Sequence, residues 1–170
     1  MLIIDFETRS EADLLTAGAY KYASHPSTKI IGMGWWLNDE YGYIDMRRPW
    51  ALPTGVEDYV AGSGLVAAWN AQFDRLIWEH CMPHWCQLSL TRWYCLAAQA
   101  RVNALPSSLD KCAKAVTGYY KKDIRGSDLI KRMCIPPFED TPALRKAMGE
   151  YCLQDVKVSV EMFHKTRKMS

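Results

Sequence analysis

Four acidic residues have the types and settings that metal-dependent chemistry needs. Asp5 and Glu7 lie in the run IIDFET, Asp74 lies in WNAQFDR, and Asp155 lies in YCLQDV. They are far apart in sequence, so only a folded domain can bring them together. Carboxylate oxygens suit hard divalent cations, and pairs of such ions catalyse the cleavage of phosphodiester bonds. The four acids therefore predict a two-metal site.

Local structure explains how these acids can meet. Side chains at i and i+2 of a strand share a face, so Asp5 and Glu7 are expected to project together while Phe6 points away. Unpaired charges are costly to bury, so a strand end or a bound cation must relieve the pair. Asp74 lies four residues after Asn70, in the first turn of a predicted helix that follows a strand. Ligands gather at that carboxyl edge in α/β sheets.

Each acid also has a purely structural interpretation. Asp5 and Glu7 fit a strand that runs into a loop, and Asp74 fits an acid favoured by a helix dipole. Tyr151 and Asp155 are four positions apart and share a helix face. They fit a hydrogen-bonded surface pair, or a metal-bound carboxylate with a tyrosine that holds a water beside it. The combination of all these residues, each in suitable local structure, favours the functional interpretation.

The apolar pattern predicts an α/β domain with a mixed sheet. Strands are predicted at residues 2–7, 29–36, 41–46 and 65–69, with a short fifth strand near 87–91. A polar, glycine-containing stretch follows the first strand. A hairpin turn is predicted at residues 38–40, between the second and third strands.

Helices dominate the second half of the predicted order. They are expected at about 70–80, 93–102, 107–116 and 128–134, and from 142 to near the C-terminus with a break near Gly149. The predicted N-cap residues are Asn70, Ser107 or Ser108, Ser127 and Thr141.

Size and composition fit a globular protein with a full hydrophobic core. The chain has 170 residues, 49% of them hydrophobic, and we expect one domain over 1–170. The six cysteines form no Cys-x2-Cys pair, which predicts reduced, mostly buried thiols. The opening residues resemble a strand rather than a signal peptide, and no segment has the apolar length of a membrane span. These features predict a cytoplasmic protein.

The formal net charge of +2 conceals an asymmetry. Residues 1–100 carry 7 basic and 11 acidic residues, a net charge of −4, whereas residues 101–170 carry 14 and 8, a net charge of +6. A basic second half would attract a polyanion. A solvated charged surface explains the same numbers equally well.

The acidic motifs resemble those of the DEDD, or DnaQ-like, 3′–5′ exonucleases, in the tyrosine-bearing DEDDy branch. DFET (5–8) is similar to the first motif, NAQFD (70–74) to the second, and YCLQD (151–155) to the third. GAYKYASHPSTKI, LPSSLDKCAKA and KRMCIPP resemble the proofreading exonuclease region of phage-type family A DNA polymerases. The resemblance covers nearly the whole chain. It implies a ribonuclease H-like, mixed five-stranded sheet flanked by helices, with one strand antiparallel to the rest.

The resemblance also implies a mechanism. Two Mg²⁺ or Mn²⁺ ions would be held by the four acids, with Asp5 touching both. Glu7 and Asp155 would hold the ion beside the attacking water, and Asp74 would support the other ion directly or through water. Tyr151 would orient the water. The products would be nucleoside 5′-monophosphates from single-stranded or frayed DNA 3′ ends.

The same polymerases continue into a large polymerase module, whereas this chain stops soon after the third motif. We therefore expect a stand-alone exonuclease or an excised domain. It would serve proofreading or phage DNA metabolism, with a DNA polymerase or another replication protein as a partner. A phage-encoded protein would act in the cytoplasm of the bacterial host.

Stacking and polar contacts usually hold single-stranded ends. The candidate contact residues are Thr8, Asn70, Phe73 and Tyr20. Tyr20 and Tyr22 are expected in a loop that reaches the strand. Basic residues expected to meet phosphates are Lys111, Lys114, Lys121, Lys122 and Arg125. Core packing for the aromatic residues and plain solvation for the basic ones are the alternatives.

Three other functions compete with this interpretation. One is a 3′–5′ exoribonuclease, since the acids do not distinguish the sugar. Another is a non-catalytic module that binds a nucleic-acid end or a protein, although the complete acid set argues against it. A redox or metal module built on the cysteines lacks the necessary spacing.

Overall fold

A computed structural model describes residues 1–47, 49–118 and 126–169. Within these ranges the chain forms five strands, seven α-helices and a short 3₁₀ helix at Leu90–Arg92. The strands are β1 (Leu2–Arg9), β2 (Lys29–Leu37), β3 (Glu40–Asp45), β4 (Val66–Ala68) and β5 (Trp93–Cys95). The helices are α1 (Leu14–Ala23), α2 (Thr54–Ala61), α3 (Ala71–Cys81), α4 (Leu96–Val102), α5 (Leu109–Thr117), α6 (Gly126–Met133) and α7 (Pro142–Lys165).

The five strands form one sheet in the order β3-β2-β1-β4-β5. β2 is antiparallel to both of its neighbours, β1 and β3, whereas β4 is parallel to β1 and β5 is parallel to β4. One strand, β2, therefore runs against the other four. This mixed sheet with flanking helices is a ribonuclease H-like α/β fold, which confirms the expected fold class.

The two faces of β1 pack against different helices. Leu2 and Phe6 lie in a core that includes Trp78 of α3. Ile3, on the opposite face, packs with Val156 of α7. This alternation is the normal consequence of the two-residue period of a strand. Asp5 and Glu7 lie on the same face of β1 as Ile3, so they face α7.

α7 approaches the sheet closely because β2 carries a glycine where the helix crosses. A Cβ at Gly34 would lie 2.8 Å from Cγ2 of Val156 and 2.9 Å from Sγ of Cys152. Gly34 is also the residue paired with Asp5 across the two strands. The glycine that admits the helix thus brings Cys152 next to Asp5.

The expectation that Tyr20 and Tyr22 lie in a loop after β1 is wrong. This stretch contains α1, so both tyrosines lie on a helix. Asp13 caps α1 by accepting a hydrogen bond from the backbone N–H of Leu15 at 2.9 Å. Gly18, with φ of 77°, kinks the helix. Because the helix is interrupted at this glycine, the sequence shows no continuous apolar stripe here, and its polar, glycine-containing character does not predict a helix.

The fifth strand lies later in the chain than predicted. It is formed by β5 rather than residues 87–91, and the helix expected from residue 93 begins at Leu96. β5 is defined by its pairing with β4 and by the packing of Trp93 on Trp78, with ring centroids 6.3 Å apart. Both are tertiary contacts, and the alternation of apolar and polar residues along the chain does not predict them.

Helix boundaries were predicted unevenly. α7 continues through Gly149 without the expected break, and α2 was not predicted. Asn70 and Ser108 occupy N-cap positions, although neither side chain makes a capping hydrogen bond. Ser127 lies inside α6 and is not its cap. Thr141 is a true cap, since its hydroxyl oxygen accepts from the backbone N–H of Leu144 at 3.2 Å.

Other expectations are confirmed. Asn38 and Asp39 both have positive φ, of 49° and 68°, as the tight hairpin turn requires. All six cysteines are free thiols as expected, although three rather than most of them are buried, namely Cys112, Cys134 and Cys152. None of the helices in the described ranges has the length and hydropathy needed to traverse a bilayer.

The close packing of α7 leads to a test of the fold. Gly34→Ala should lower the free energy of unfolding by about 1–3 kcal/mol, because overpacking of this kind costs that much in other proteins. The matched control is Gly55→Ala on α2, where an added Cβ meets no atom within 4 Å. Urea denaturation measures both variants. Equal stabilities of the two variants would contradict the proposed close contact.

Candidate metal centre

The site lies where β1 extends past the end of β4. β4 pairs with β1 only at Leu2 and Ile3, so within the described residues no strand lies beside the rest of that edge. The backbone N–H of Phe6 donates instead to Oδ1 of Asp74 at 3.2 Å. This bond satisfies a main-chain donor that would otherwise be orphaned. It also holds the first turn of α3 against β1, at the carboxyl edge of the parallel strands.

Asp5, Glu7 and Cys152 form a compact group. One ligand atom from each lies within 4.8 Å of the others, an arrangement able to hold a metal ion. The Cys152 thiol donates to the Asp5 carbonyl oxygen at 3.4 Å and to its Oδ2 at 3.6 Å. Burial first, and then the nearby acids, raise the pKa of this thiol well above its usual range. Cys152 is therefore a protonated hydrogen-bond donor at neutral pH.

Burial and mutual repulsion shift the titration of the acids. Burial raises the pKa of Asp5 to about 6, and the Cys152 hydrogen bond opposes this effect. The pKa of Glu7 is raised well above its usual range by burial and then by Asp5, Asp155 and Asp74. The pKa of Asp74 is likewise raised by burial and then by Asp5. These effects indicate that the acids lie within electrostatic reach of one another.

Among the residues that the structure describes, no basic side chain balances the negative charge of this cluster through an ion pair. Glu7 and Asp74 are only 8% and 4% exposed. Neither they nor Asp5 form an ion pair with any described basic side chain. Buried carboxylates are normally paired or coordinated. A divalent cation bound by oxygen ligands would supply the missing charge.

Tyr151 and Asp155 face the same cluster from α7. Burial raises the pKa of Tyr151, and the charges of Asp155 and Glu7 and hydrogen bonding with Asp155 add to this effect. The tyrosine ring packs over Gly126, where an added Cβ would lie 2.5 Å from Cε2. The five residues predicted for catalysis therefore surround one location. Cys152, which lies within the third motif, was not predicted because a lone cysteine resembles an ordinary core residue.

A cleft of about 690 Å³ opens beside Glu7. Two of the four predicted contact residues, Thr8 and Phe73, line it. The Thr8 hydroxyl shares a hydrogen bond of 2.9 Å with the Tyr22 hydroxyl, which fixes this wall. Sequence patterns did not identify the other apolar walls, which come from distant segments: Leu14, Leu15, Ile130, Ile135 and Pro136.

The two other predicted contact residues lie outside the lining of this cleft. Asn70 is exposed at the start of α3. Tyr20 is 63% exposed, and its ring packs edge-on against His80, with centroids 5.3 Å apart. Among the predicted phosphate contacts, Lys111 and Lys114 are exposed on α5. The remaining three, Lys121, Lys122 and Arg125, lie outside the described residues.

Fold and site together define a ribonuclease H-like protein with a buried acidic group able to hold a metal ion. No family model matches the chain. The chain is similar to a DNA polymerase of Bacillus phage SP02, with 32% identity over 175 residues. That alignment covers 92% of this chain but only 26% of the polymerase. The chain thus spans about a quarter of the length of this curated relative.

The raised pKa values predict how metal-free stability depends on pH. A carboxyl group whose pKa is higher in the folded protein contributes stability at low pH, and this contribution is lost as pH rises through the folded pKa. Each pKa unit is worth about 1.4 kcal/mol. Asp74→Asn removes one such group while keeping an oxygen for the Phe6 N–H. It should therefore become more stable relative to wild type as pH rises from 4.5 to 7.

Urea denaturation in EDTA across this pH range measures the effect. The control is Asp58→Asn, which removes an exposed acid on α2. This variant shows what the loss of an exposed acid alone does to stability. An Asp74→Asn profile parallel to that of wild type would contradict the idea that burial and repulsion raise the pKa of Asp74.

Proposed function

We propose that the chain is a metal-dependent 3′–5′ exonuclease of the DEDDy type, which removes nucleoside 5′-monophosphates from single-stranded or frayed DNA. The grouping of half-buried Asp5 with buried Glu7 and Asp74, without an ion pair from any described basic residue, carries the proposal. The three sequence motifs assign the acids to this chemistry. Similarity to part of a phage DNA polymerase favours DNA as the substrate.

The acids suit hard divalent cations. Asp5, Glu7, Asp74 and Asp155 would hold two ions, Mg²⁺ or Mn²⁺. When bound, these ions would offset the repulsion among the carboxylates and would polarise the attacking water and the scissile phosphate. Cys152 would support Asp5 through its thiol hydrogen bond, and the carboxylate oxygens would suit these hard cations better than its soft sulfur.

Tyr151 would orient the attacking water through a hydrogen bond with its hydroxyl. Its raised pKa keeps the hydroxyl protonated, so it would not act as a general base. The hydroxyl already contacts Asp155, which orients it toward the carboxylates. Glu7 and Asp155 would share the position next to this water, in keeping with their mutual electrostatic influence.

The cleft beside Glu7 would receive the terminal nucleotide. Its volume of about 690 Å³ is in the range of small-ligand sites. Phe73 offers a ring for contact with a base, and Thr8 lies next to Glu7 in β1. Such a cleft needs an unpaired end, since a base in a duplex is not free to enter. Asn70 and Tyr20 stay candidates for contacts farther along the strand.

The proposal also assigns a setting. A phage-encoded exonuclease of this kind would act in the cytoplasm of a bacterial host, with DNA 3′ ends and a replication polymerase as partners. Proofreading of newly made DNA is the role most consistent with the polymerase similarity.

Digestion of 5′-labelled single-stranded DNA tests the activity directly. We expect a ladder that shortens from the 3′ end with Mg²⁺ or Mn²⁺ and is abolished by EDTA. A matched RNA oligonucleotide should be digested more slowly. Faster loss of RNA would indicate an exoribonuclease instead. Binding of either oligonucleotide without metal-dependent cleavage would indicate a non-catalytic module.

Substitution of the acids should separate catalysis from folding. Asp5→Ala or Asp155→Ala should lower turnover by about a thousandfold, equivalent to about 4 kcal/mol of transition-state stabilisation. Metal-free stability should be kept or raised, because like-charge repulsion is removed. Asp58→Ala, on the exposed face of α2, is the control. Near-wild-type cleavage by Asp5→Ala would show that the role assigned to this residue is wrong.

Removal of the tyrosine hydroxyl should have a smaller effect. Tyr151→Phe keeps the ring that packs over Gly126 and leaves every carboxylate in place. Loss of one hydrogen bond to the attacking water is worth about 1–1.5 kcal/mol, or about tenfold in turnover. Single-turnover kinetics measure this loss. A loss as large as that of Asp5→Ala would mean that Tyr151 does more than orient water.

A further inference from the structure

Tyr43, on β3, has its ring confined by two glycines. A Cβ at Gly32 of β2 would overlap the Tyr43 hydroxyl, and a Cβ at Gly149 of α7 would lie 3.0 Å from the ring carbons Cδ1 and Cε1. The ring therefore occupies a slot that exists because neither glycine has a side chain. Such confinement fixes the direction in which the hydroxyl points.

The hydroxyl is directed toward Glu7. Gly32, over which it lies, is the residue paired with Glu7 across β1 and β2. Directly opposed residues of antiparallel strands have Cα atoms about 5 Å apart. Burial is the main cause that raises the pKa of Tyr43, and the charge of Glu7 makes a smaller contribution. The hydroxyl thus lies next to Glu7, on the side of β2.

The Tyr43 hydroxyl is buried and has no hydrogen-bond partner among the described residues. A buried polar group left unsatisfied costs about 1–3 kcal/mol. The other polar groups that act on it are already engaged. The Cys152 thiol donates to Asp5. The Arg47 side chain forms an ion pair with Asp45 at 2.8 Å. Glu7, by contrast, has no side-chain hydrogen bond within the described part of the chain.

We propose that Tyr43 is a positioning residue for Glu7, whose ionised carboxylate accepts a hydrogen bond from the Tyr43 hydroxyl when it holds a cation. Carboxylates that bind metals are commonly hydrogen-bonded by groups behind them, which orient the ligand oxygen. The slot between Gly32 and Gly149 places such a donor where the acid needs it. The inference rests on the metal-dependent function proposed above.

Tyr43→Phe tests this role because it keeps the ring and removes only the hydroxyl. Calorimetric titration with Mn²⁺, without DNA, should show a dissociation constant about tenfold higher than that of wild type. Urea denaturation in EDTA should show unchanged or higher stability, because an unsatisfied buried group is lost. The control is Tyr41→Phe on the same strand, where the side chain is 41% exposed. It should change neither quantity.

Each other outcome is decisive. Wild-type Mn²⁺ affinity in Tyr43→Phe would overturn the role, as would a clear loss of metal-free stability. The second result would show that the hydroxyl already has a partner before metal binds. If wild type itself binds no Mn²⁺, the metal-dependent function fails and the inference fails with it. If wild type and Tyr43→Phe bind Mn²⁺ equally tightly, the metal-dependent function is kept and only the role of Tyr43 is rejected.

Discussion

Like charges are crowded at the edge of β1, where Glu7 and Asp74 are buried and Asp5 is half-buried. Asp5, Glu7 and Asp74 each have a raised pKa, with burial as the largest cause. Among the described residues no basic side chain relieves them through an ion pair. Such an arrangement destabilises the metal-free protein. The remainder of the fold must therefore hold the acids together against their own repulsion.

Three features of the backbone supply that restraint. The short strand β4 leaves the Phe6 N–H free to bind Asp74, so α3 is attached to β1 by a main-chain hydrogen bond. Gly34 lets α7 approach until the Cys152 thiol reaches Asp5. α7 also carries the tyrosine and aspartate that complete the cluster. The acids are consequently positioned by strands and helices rather than by loops, which favours accurate ligand geometry.

Sequence patterns were sufficient where the chemistry is local. The i, i+2 spacing of Asp5 and Glu7 correctly placed both on one face of a strand, and the i, i+4 spacing did the same for Tyr151 and Asp155 on α7. Sequence patterns were insufficient where a tertiary contact determines the position or the secondary structure of a segment. The position of β5 depends on pairing with β4, and the helical state of Gly149 accompanies its packing on Tyr43. The thiol of Cys152 gave no signal, because its role depends on a helix that crosses two strands.

The most direct test of this account is the exchange of protons when metal binds. Mn²⁺ would be titrated calorimetrically into chelator-treated protein at pH 6, near the pKa of Asp5, in two buffers of different ionisation enthalpy. The account predicts saturable binding with net release of protons, because acids with raised pKa values must deprotonate to coordinate a cation. An absence of saturable binding, or binding without proton release, would contradict it.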